Sequence, residues 1–183
     1  MRPFELPLAR PLATAHGVVA ARCGWLVRLE DETGAVGLGE ATPLPAFGTE
    51  TVSACEAALD RILHDWADGR EVSLSERLEA LASARSATPC AVAAIDTALH
   101  DQAARRVGCT LATWLRRRAG EPGPPAREVE VQALVGGETP VSLVEAAKAA
   151  WEQGFRTFKL KLAVSPDRRD LAEDLDRVVA LRE

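Results

Sequence analysis

Phe155-Arg-Thr-Phe-Lys-Leu-Lys-Leu162 is the stretch on which the fold turns, an apolar run that reads as a β-strand carrying two lysines near its end. A helix signal precedes it. Thr139-Pro140 supplies an N-cap and a proline suited to the first helical position, and Gly154 closes that helix after about Gln153. Upstream lies another strand-like run, Val129-Glu-Val-Gln-Ala-Leu-Val135. Downstream, Ser165-Pro166 repeats the cap-then-proline signal, and Leu171, Leu175, Val178, Val179 and Leu181 give the next helix its apolar face. Strand, helix, strand, helix with short connections predicts parallel strands. Ligand-handling residues in such folds gather at the C-terminal ends of the strands, where Lys159 and Lys161 stand.

Those two lysines are unusual for this chain. It has three, Lys148, Lys159 and Lys161, among 22 basic residues, so 19 are arginine. Arg serves wherever a fixed positive charge is enough, because it does not lose its proton in a protein. Lysines kept at i and i+2 on a strand point to the same face. Adjacent ammonium groups disfavour each other's charge, which is one way a lysine becomes a general base. The competing reading is a solvated strand face.

Outward from this element the chain changes character. Gly120-Glu-Pro-Gly-Pro-Pro-Ala126 can hold neither helix nor strand and marks a boundary. It predicts an α+β domain over 1–120, a linker over 121–128 and the start of a parallel β/α barrel over 129–183. In the first domain, residues 3–12 read as an edge strand because of Pro3, Pro7 and Pro11. Residues 22–30 and 35–41 read as two further strands joined by the turn Asp31–Gly34, giving an antiparallel meander. Two shaped loops stand out, Thr14-Ala-His-Gly17 and Thr42-Pro-Leu-Pro-Ala-Phe-Gly48. Thr49, Glu50 and Thr51 offer caps for a helix carrying Val52, Cys55, Leu59, Ile62, Leu63 and Trp66. Further helices are expected near Ser73–Arg85, from Pro89 to about Val107 with Gly108 as the stop, and over Leu111–Arg118.

Composition narrows the function. Hydrophobic residues make up 47% and charged residues 27% of 183, with a formal charge of −5, which is ordinary for a soluble protein. The arginines are scattered among acids, which argues against nucleic acid. No apolar run approaches the ~20 residues that cross a bilayer, and the N-terminus lacks the apolar core of a signal peptide. Cys23, Cys55, Cys90 and Cys109 show no metal or disulfide spacing and read as reduced thiols, so a cytoplasmic location is expected. The 55 residues from Val129 onward fall far short of the ~250 of a (β/α)₈ barrel. Either the chain is part of something longer, the preferred reading, or it assembles as a homo-oligomer.

Several segments together resemble the enolase superfamily, in its muconate-lactonizing-like branch, most closely the o-succinylbenzoate synthases. They are Gly37-Leu-Gly-Glu-Ala-Thr-Pro-Leu-Pro-Ala-Phe-Gly-Thr-Glu50, the Ala98, Leu99 and Asp101 signature in the helix after Pro89, Val131–Val135, and Gly154 followed by Lys159-Leu-Lys161. The resemblance implies a capping domain followed by a barrel. It implies an enzyme that removes a proton next to the carboxylate of a small-molecule substrate and stabilises the enediolate with Mg²⁺. Lys161 would be the general base and return the proton to a departing hydroxyl, while Lys159 would stabilise negative charge and keep its neighbour ready to accept a proton. The loops Thr14–Val19 and Pro43–Thr49 would close over the substrate, with His16, Gly17, Pro45, Phe47 and Gly48 against it. The implied reaction is dehydration of a hydroxylated cyclohexadiene carboxylate to o-succinylbenzoate in menaquinone biosynthesis. The alternatives are N-acylamino acid racemisation, dipeptide epimerisation or muconate cycloisomerisation, and, in a different class, a non-catalytic assembly module.

The chain departs from that family in two places. No metal ligand is expected here, since Asp167, Asp170, Glu173, Asp174 and Asp176 fall at a helix start and along its outer face. The 183 residues alone are therefore predicted inactive. Ala163 replaces the glycine that the family often carries after its second lysine. His64 and His100 read as structural, Glu40 as orienting its loop, and Trp25, Trp66, Trp114 and Trp151 as core or interdomain packing.

Overall fold

Pro3, Pro7 and Pro11 lack the N–H that a central strand donates, and the first strand accordingly sits at a sheet edge. The computed structural model describes residues 1–14, 16–67, 72–137, 139–162 and 171–182, the side chains of Ala13 and Leu171 excepted. The Ser165-Pro166 cap, Ala163, Asp167 and Asp170 lie outside the described residues, as does Ala15 of the first loop. Strands β1 (Arg2–Thr14), β2 (Gly17–Glu30) and β3 (Val36–Ala41) form one sheet in that order. β2 and β3 are antiparallel, with Val27 opposite Gly39 and Leu29 opposite Gly37. β2 begins at Gly17 rather than Arg22. Residues 17–21 show no alternation and Val18 is exposed, so pairing rather than side-chain pattern makes them strand.

Helices α1 (Val52–Trp66), α2 (Leu74–Ala82), α3 (Pro89–Arg106) and α4 (Leu111–Arg118) complete the first unit. Local signals set their ends. Thr51 Oγ1 accepts from Ala54 N–H, Ser73 and Glu76 form a capping box, and Gly108 ends α3 at φ 67°. The core joins Trp25, Val27 and Ala41 of the sheet to Leu59 and Ile62 of α1, Leu81 of α2, and Val92, Ile95 and Leu99 of α3.

α3 lies directly on β3. A Cβ added at Gly37 would fall 1.9 Å from the Ala98 carbonyl oxygen, and one at Gly39 would fall 1.9 Å from that of Ala94. Glycine on the strand and alanine on the helix let the two backbones approach. The same helix covers the outer edge of β3, since Leu38 N–H donates to Asp101 and Gln102 Nε2 donates to the Ala35 carbonyl, both at 3.0 Å. Bare edge groups are thereby satisfied, which gives Ala98 and Asp101 a structural reason to be what they are. His100 Nδ1 accepts from Trp114 Nε1 at 3.0 Å and ties α4 to α3. Trp151 departs from the packing expected of it: it is half exposed, with the Arg156 guanidinium 4.0 Å above its ring.

The second unit holds β4 (Gln132–Val135), α5 (Pro140–Glu152), β5 (Thr157–Leu160) and α6 (Leu171–Ala180). β4 and β5 are parallel, so these are the first βα units of a barrel architecture. The first unit comprises Met1–Leu12 and Val18–Pro125, the second Ala126–Glu183 together with Ala13–Gly17.

Candidate active site

Thr139 accepts from Ser142 N–H and starts α5, with Pro140 in its first turn, and Gly154 at φ 101° turns the chain back. Phe155 N–H is used in that turn, donating to the Ala150 carbonyl. β5 therefore begins only at Thr157, and residues 155–156, read as strand in the sequence, are helix closure instead. β4 is likewise shorter than 129–135. Its parallel partner begins at Thr157 opposite Gln132, so Val129–Val131 have no strand to pair with and Val129 and Val131 stay exposed.

Alternation then sorts the side chains. Ala133, Val135, Phe158 and Leu160 pack with Leu143, Ala147 and Ala150 of α5 and with Leu181. Gln132, Leu134, Thr157 and Lys159 are exposed on the other face, where Lys159 stands opposite Leu134. Lys161 is half-buried and lies one residue beyond the last residue of β5. Both lysines thus mark the C-terminal end of a parallel strand.

The first loop belongs to the same unit as the lysines, although the sequence reading placed it in the N-terminal domain. Thr14 Oγ1 organises it, donating to the Gly17 carbonyl at 2.8 Å and accepting from His16 N–H at 3.1 Å. His16 and Gly17 are therefore grouped with Lys159 and Lys161, whereas Pro45, Phe47 and Gly48 belong to the first unit. These three form a tight turn in which Gly48, at φ 90°, donates to the Pro45 carbonyl. Phe47 exposes half its surface at the crest. Leu44 N–H donates to Thr49 Oγ1 at 2.6 Å and closes the base.

Glu50 was missed as a loop anchor. The sequence suggests it as part of the α1 cap, but Thr51 fills that role. The Glu50 side chain instead crosses to α3, whose own N-cap Thr88 makes no side-chain cap bond, its hydroxyl donating back to the Ala84 carbonyl at 3.2 Å. Its Oε1 accepts from Ala91 N–H at 2.9 Å and its Oε2 from Cys90 N–H at 3.2 Å. Glu50 is 7% exposed, and its carboxylate satisfies the Cys90 and Ala91 amides that the helix start leaves free, where negative charge is also favoured; Pro89 has no N–H and Thr88 N–H donates to the Ala84 carbonyl. The local signal was an acid two residues before a helix together with a helix that begins Thr-Pro and lacks its own acidic first turn. Burial, and then the nearby Glu50 carboxylate, push the Cys55 thiol up to about 12; burial first raises Cys90 as well.

Among the described residues, no group of three or more His, Cys, Asp or Glu side chains could hold a metal ion. Glu173 and Asp174 stand in the first turn of α6, and Asp174 accepts from Arg177 at 3.2 Å. An open cavity of the first unit, about 570 Å³, is lined by Asp31, Trp66, Arg77 and Arg106 among others and includes none of the candidate site residues. Among the described residues no helix is long and apolar enough to cross a membrane.

Comparison with known proteins bears on the family and the fold. The family model described as MenC, N-terminal domain, matches residues 2–95. The chain belongs to that family, within the enolase superfamily. It is 33% identical over 186 residues to an L-Lys-D/L-Arg epimerase of Methylococcus capsulatus, covering 100% of this chain and 48% of the relative. It is 34% identical over 167 residues to an o-succinylbenzoate synthase of Thermosynechococcus vestitus, covering 91% and 43%. The crystal structure of a Methylococcus capsulatus dipeptide epimerase complexed with Mg and the dipeptide L-Arg-D-Lys superposes with a TM-score of 0.82 at 30% identity, covering 98% of this chain and 48% of that one. The chain spans about half the length of the relatives it matches. The relatives include epimerases, o-succinylbenzoate synthases and a muconate cycloisomerase, so they are enzymes.

Proposed function

We propose that the intact protein abstracts a proton from carbon next to the carboxylate of a small molecule in the cytoplasm, with Lys161 as general base. Lys159 stabilises the negative charge that develops as the enediolate forms. In the favoured reaction Lys161 then returns its proton to a departing hydroxyl, so that water leaves and o-succinylbenzoate is formed. The observation that carries this reading is the pair of lysines at the C-terminal end of parallel strand β5, in a chain otherwise almost free of lysine. His16 and Gly17 of one loop and Pro45, Phe47 and Gly48 of the other would wall the substrate and exclude water. The Mg²⁺ expected of such chemistry would need carboxylates other than the described ones.

Epimerisation of a dipeptide is the second reading. It is favoured by the likeness to an epimerase along the whole chain, and it requires another acid/base on the opposite side of the substrate. Incubating the intact gene product with the cyclohexadiene carboxylate, an N-acylamino acid and an L,L-dipeptide separates the readings. Product from the first alone supports the synthase; turnover of the dipeptide alone ends that reading. Lys161→Ala tests the base in either case, read as loss of deuterium uptake at the α-carbon for the dipeptide and as loss of o-succinylbenzoate formation for the cyclohexadiene carboxylate, whose α-carbon keeps no hydrogen in the product.

A further inference from the structure

The loop between β3 and α1 is fixed at both ends. At its start, Arg22 Nη2 donates to the Thr42 carbonyl at 2.8 Å. At its end, Glu50 is bonded to the amides of Cys90 and Ala91, forty and forty-one residues away. Between them the loop closes on itself through Leu44 N–H to Thr49 Oγ1, Phe47 N–H to the Leu44 carbonyl and Gly48 N–H to the Pro45 carbonyl. Each of these bonds removes freedom that a mobile lid would need. α3, to which Glu50 is bonded, cannot yield easily, because its carbonyls meet the β3 backbone at Gly37 and Gly39 with no room for a methyl group.

Among the described residues no cation pairs with Glu50, so the two amides at the α3 start carry the compensation for burying its carboxylate. A neutral helix cap on α3 itself would serve stability alone, yet Thr88 makes no side-chain cap bond and its hydroxyl donates to the Ala84 carbonyl instead. We propose that Glu50 is a positioning residue, whose two bonds to the start of α3 hold Pro45–Gly48 as a preset wall that selects the substrate. The inference rests on the proposed reading that this loop lines the substrate site. Because the loop wall touches parts of the substrate that do not react, its loss weakens ground state and transition state alike, and the effect falls on KM rather than kcat.

Glu50→Gln keeps the shape and removes the charge. One of its amide-group atoms then presents N–H to a backbone N–H, so one of the two bonds is lost. In the intact gene product, amide exchange at Leu44, Phe47 and Gly48 is expected to quicken about tenfold or more. For whichever of the three panel substrates is turned over, KM is expected to rise about tenfold with kcat within about threefold of the parent. Unchanged exchange overturns the proposal, as does quickened exchange with KM unaltered or a loss confined to kcat. Should Glu50→Gln fail to fold, Thr49→Val, which removes the Leu44 bond within the same loop, is judged by the same criteria. If the parent turns over none of the panel, the functional reading fails instead, and exchange at the three amides still decides whether Glu50 fixes the loop.

Discussion

Gly39→Ala puts a methyl group where there is no space. The added Cβ would lie 1.9 Å from the Ala94 carbonyl oxygen, 2.8 Å from its carbonyl carbon and 3.2 Å from its Cα. All three are backbone atoms of a helix held by its own hydrogen bonds, so no side chain can swing aside. Relief requires α3 to retreat from the sheet by more than ~1 Å, which opens gaps in a close-packed interior. Overpacking costs about 1–3 kcal/mol, occasionally more. A rigid contact of this kind belongs at the upper end, so we expect ~3 kcal/mol of a domain stability on the order of 5–15 kcal/mol. With a urea slope near ~2 kcal/mol per molar, the midpoint falls by ~1.5 M. Tryptophan fluorescence reports the transition, since Trp25 is in the affected core. Gly136→Ala is the control. Its Cβ meets nothing within 4 Å and its backbone is not left-handed, so it is expected to be neutral or to stabilise by up to ~1 kcal/mol. A Gly39→Ala protein with a midpoint within ~0.3 M of the parent would refute the close approach of α3 to β3.

Other expectations follow from the same geometry. Lys161→Ala in the intact gene product should lower kcat by about 10²–10⁴-fold, the range for loss of a general base, with KM little changed; a smaller loss in single-turnover measurements would assign the proton to another group. His100 is held below its ordinary pKa of 6.5, mainly by burial, with Asp96 opposing and Arg118 assisting. The unfolded chain therefore binds this proton first, and stability present above pH 6.5 is lost as pH falls below it. Melting temperature from pH 7.5 to 5 should show this slope in the parent and a weaker one in His100→Gln. Cys55, pushed up to about 12, should hold on the order of one thiolate in ten thousand at pH 8 and resist iodoacetamide until urea is added. Peptide mass mapping that finds it alkylated as fast as a free thiol in the folded protein would contradict its burial.

The helices of this chain are legible because their ends are written locally. Thr51, Ser73 and Thr139 cap, Pro89 and Pro140 open, Gly108 and Gly154 close, and each does so in the structure. The parallel pairing of β4 and β5 follows from the same punctuation, since a strand, a capped helix and a strand leave little other choice. Strand lengths were harder to read. Residues 17–21, 129–131 and 155–156 differ from the pattern because hydrogen bonding to a neighbour, and not side-chain alternation, decides where a ladder starts and stops. The lysine pair stood out through composition, a signal that survives without any knowledge of the fold. Glu50 stood out less, because its local signal was only an acid two residues before a helix and its partners lie forty residues away, brought within 3.2 Å by the folded chain.

α3 is the element that joins these observations. Its middle lies on β3 through Ala94 and Ala98, Asp101 and Gln102 on its far half bind the outer edge of that strand, and the amides of its first turn receive Glu50. The chain leaves β3, forms the loop Pro43–Thr49 and then contacts α3 again at once through Glu50. The loop is therefore a short span whose two supports are locked to each other by the close contact of α3 with β3. A local change in such a span must either break its end bonds or move the helix, and the helix is confined by glycines that leave it no clearance. Precision in a loop comes from supports of this kind, because a loop is only as exact as the elements that hold it. The Gly37-x-Gly39 pair therefore acts at two levels, setting the stability of the unit and, through α3, the position of a loop that neither glycine touches.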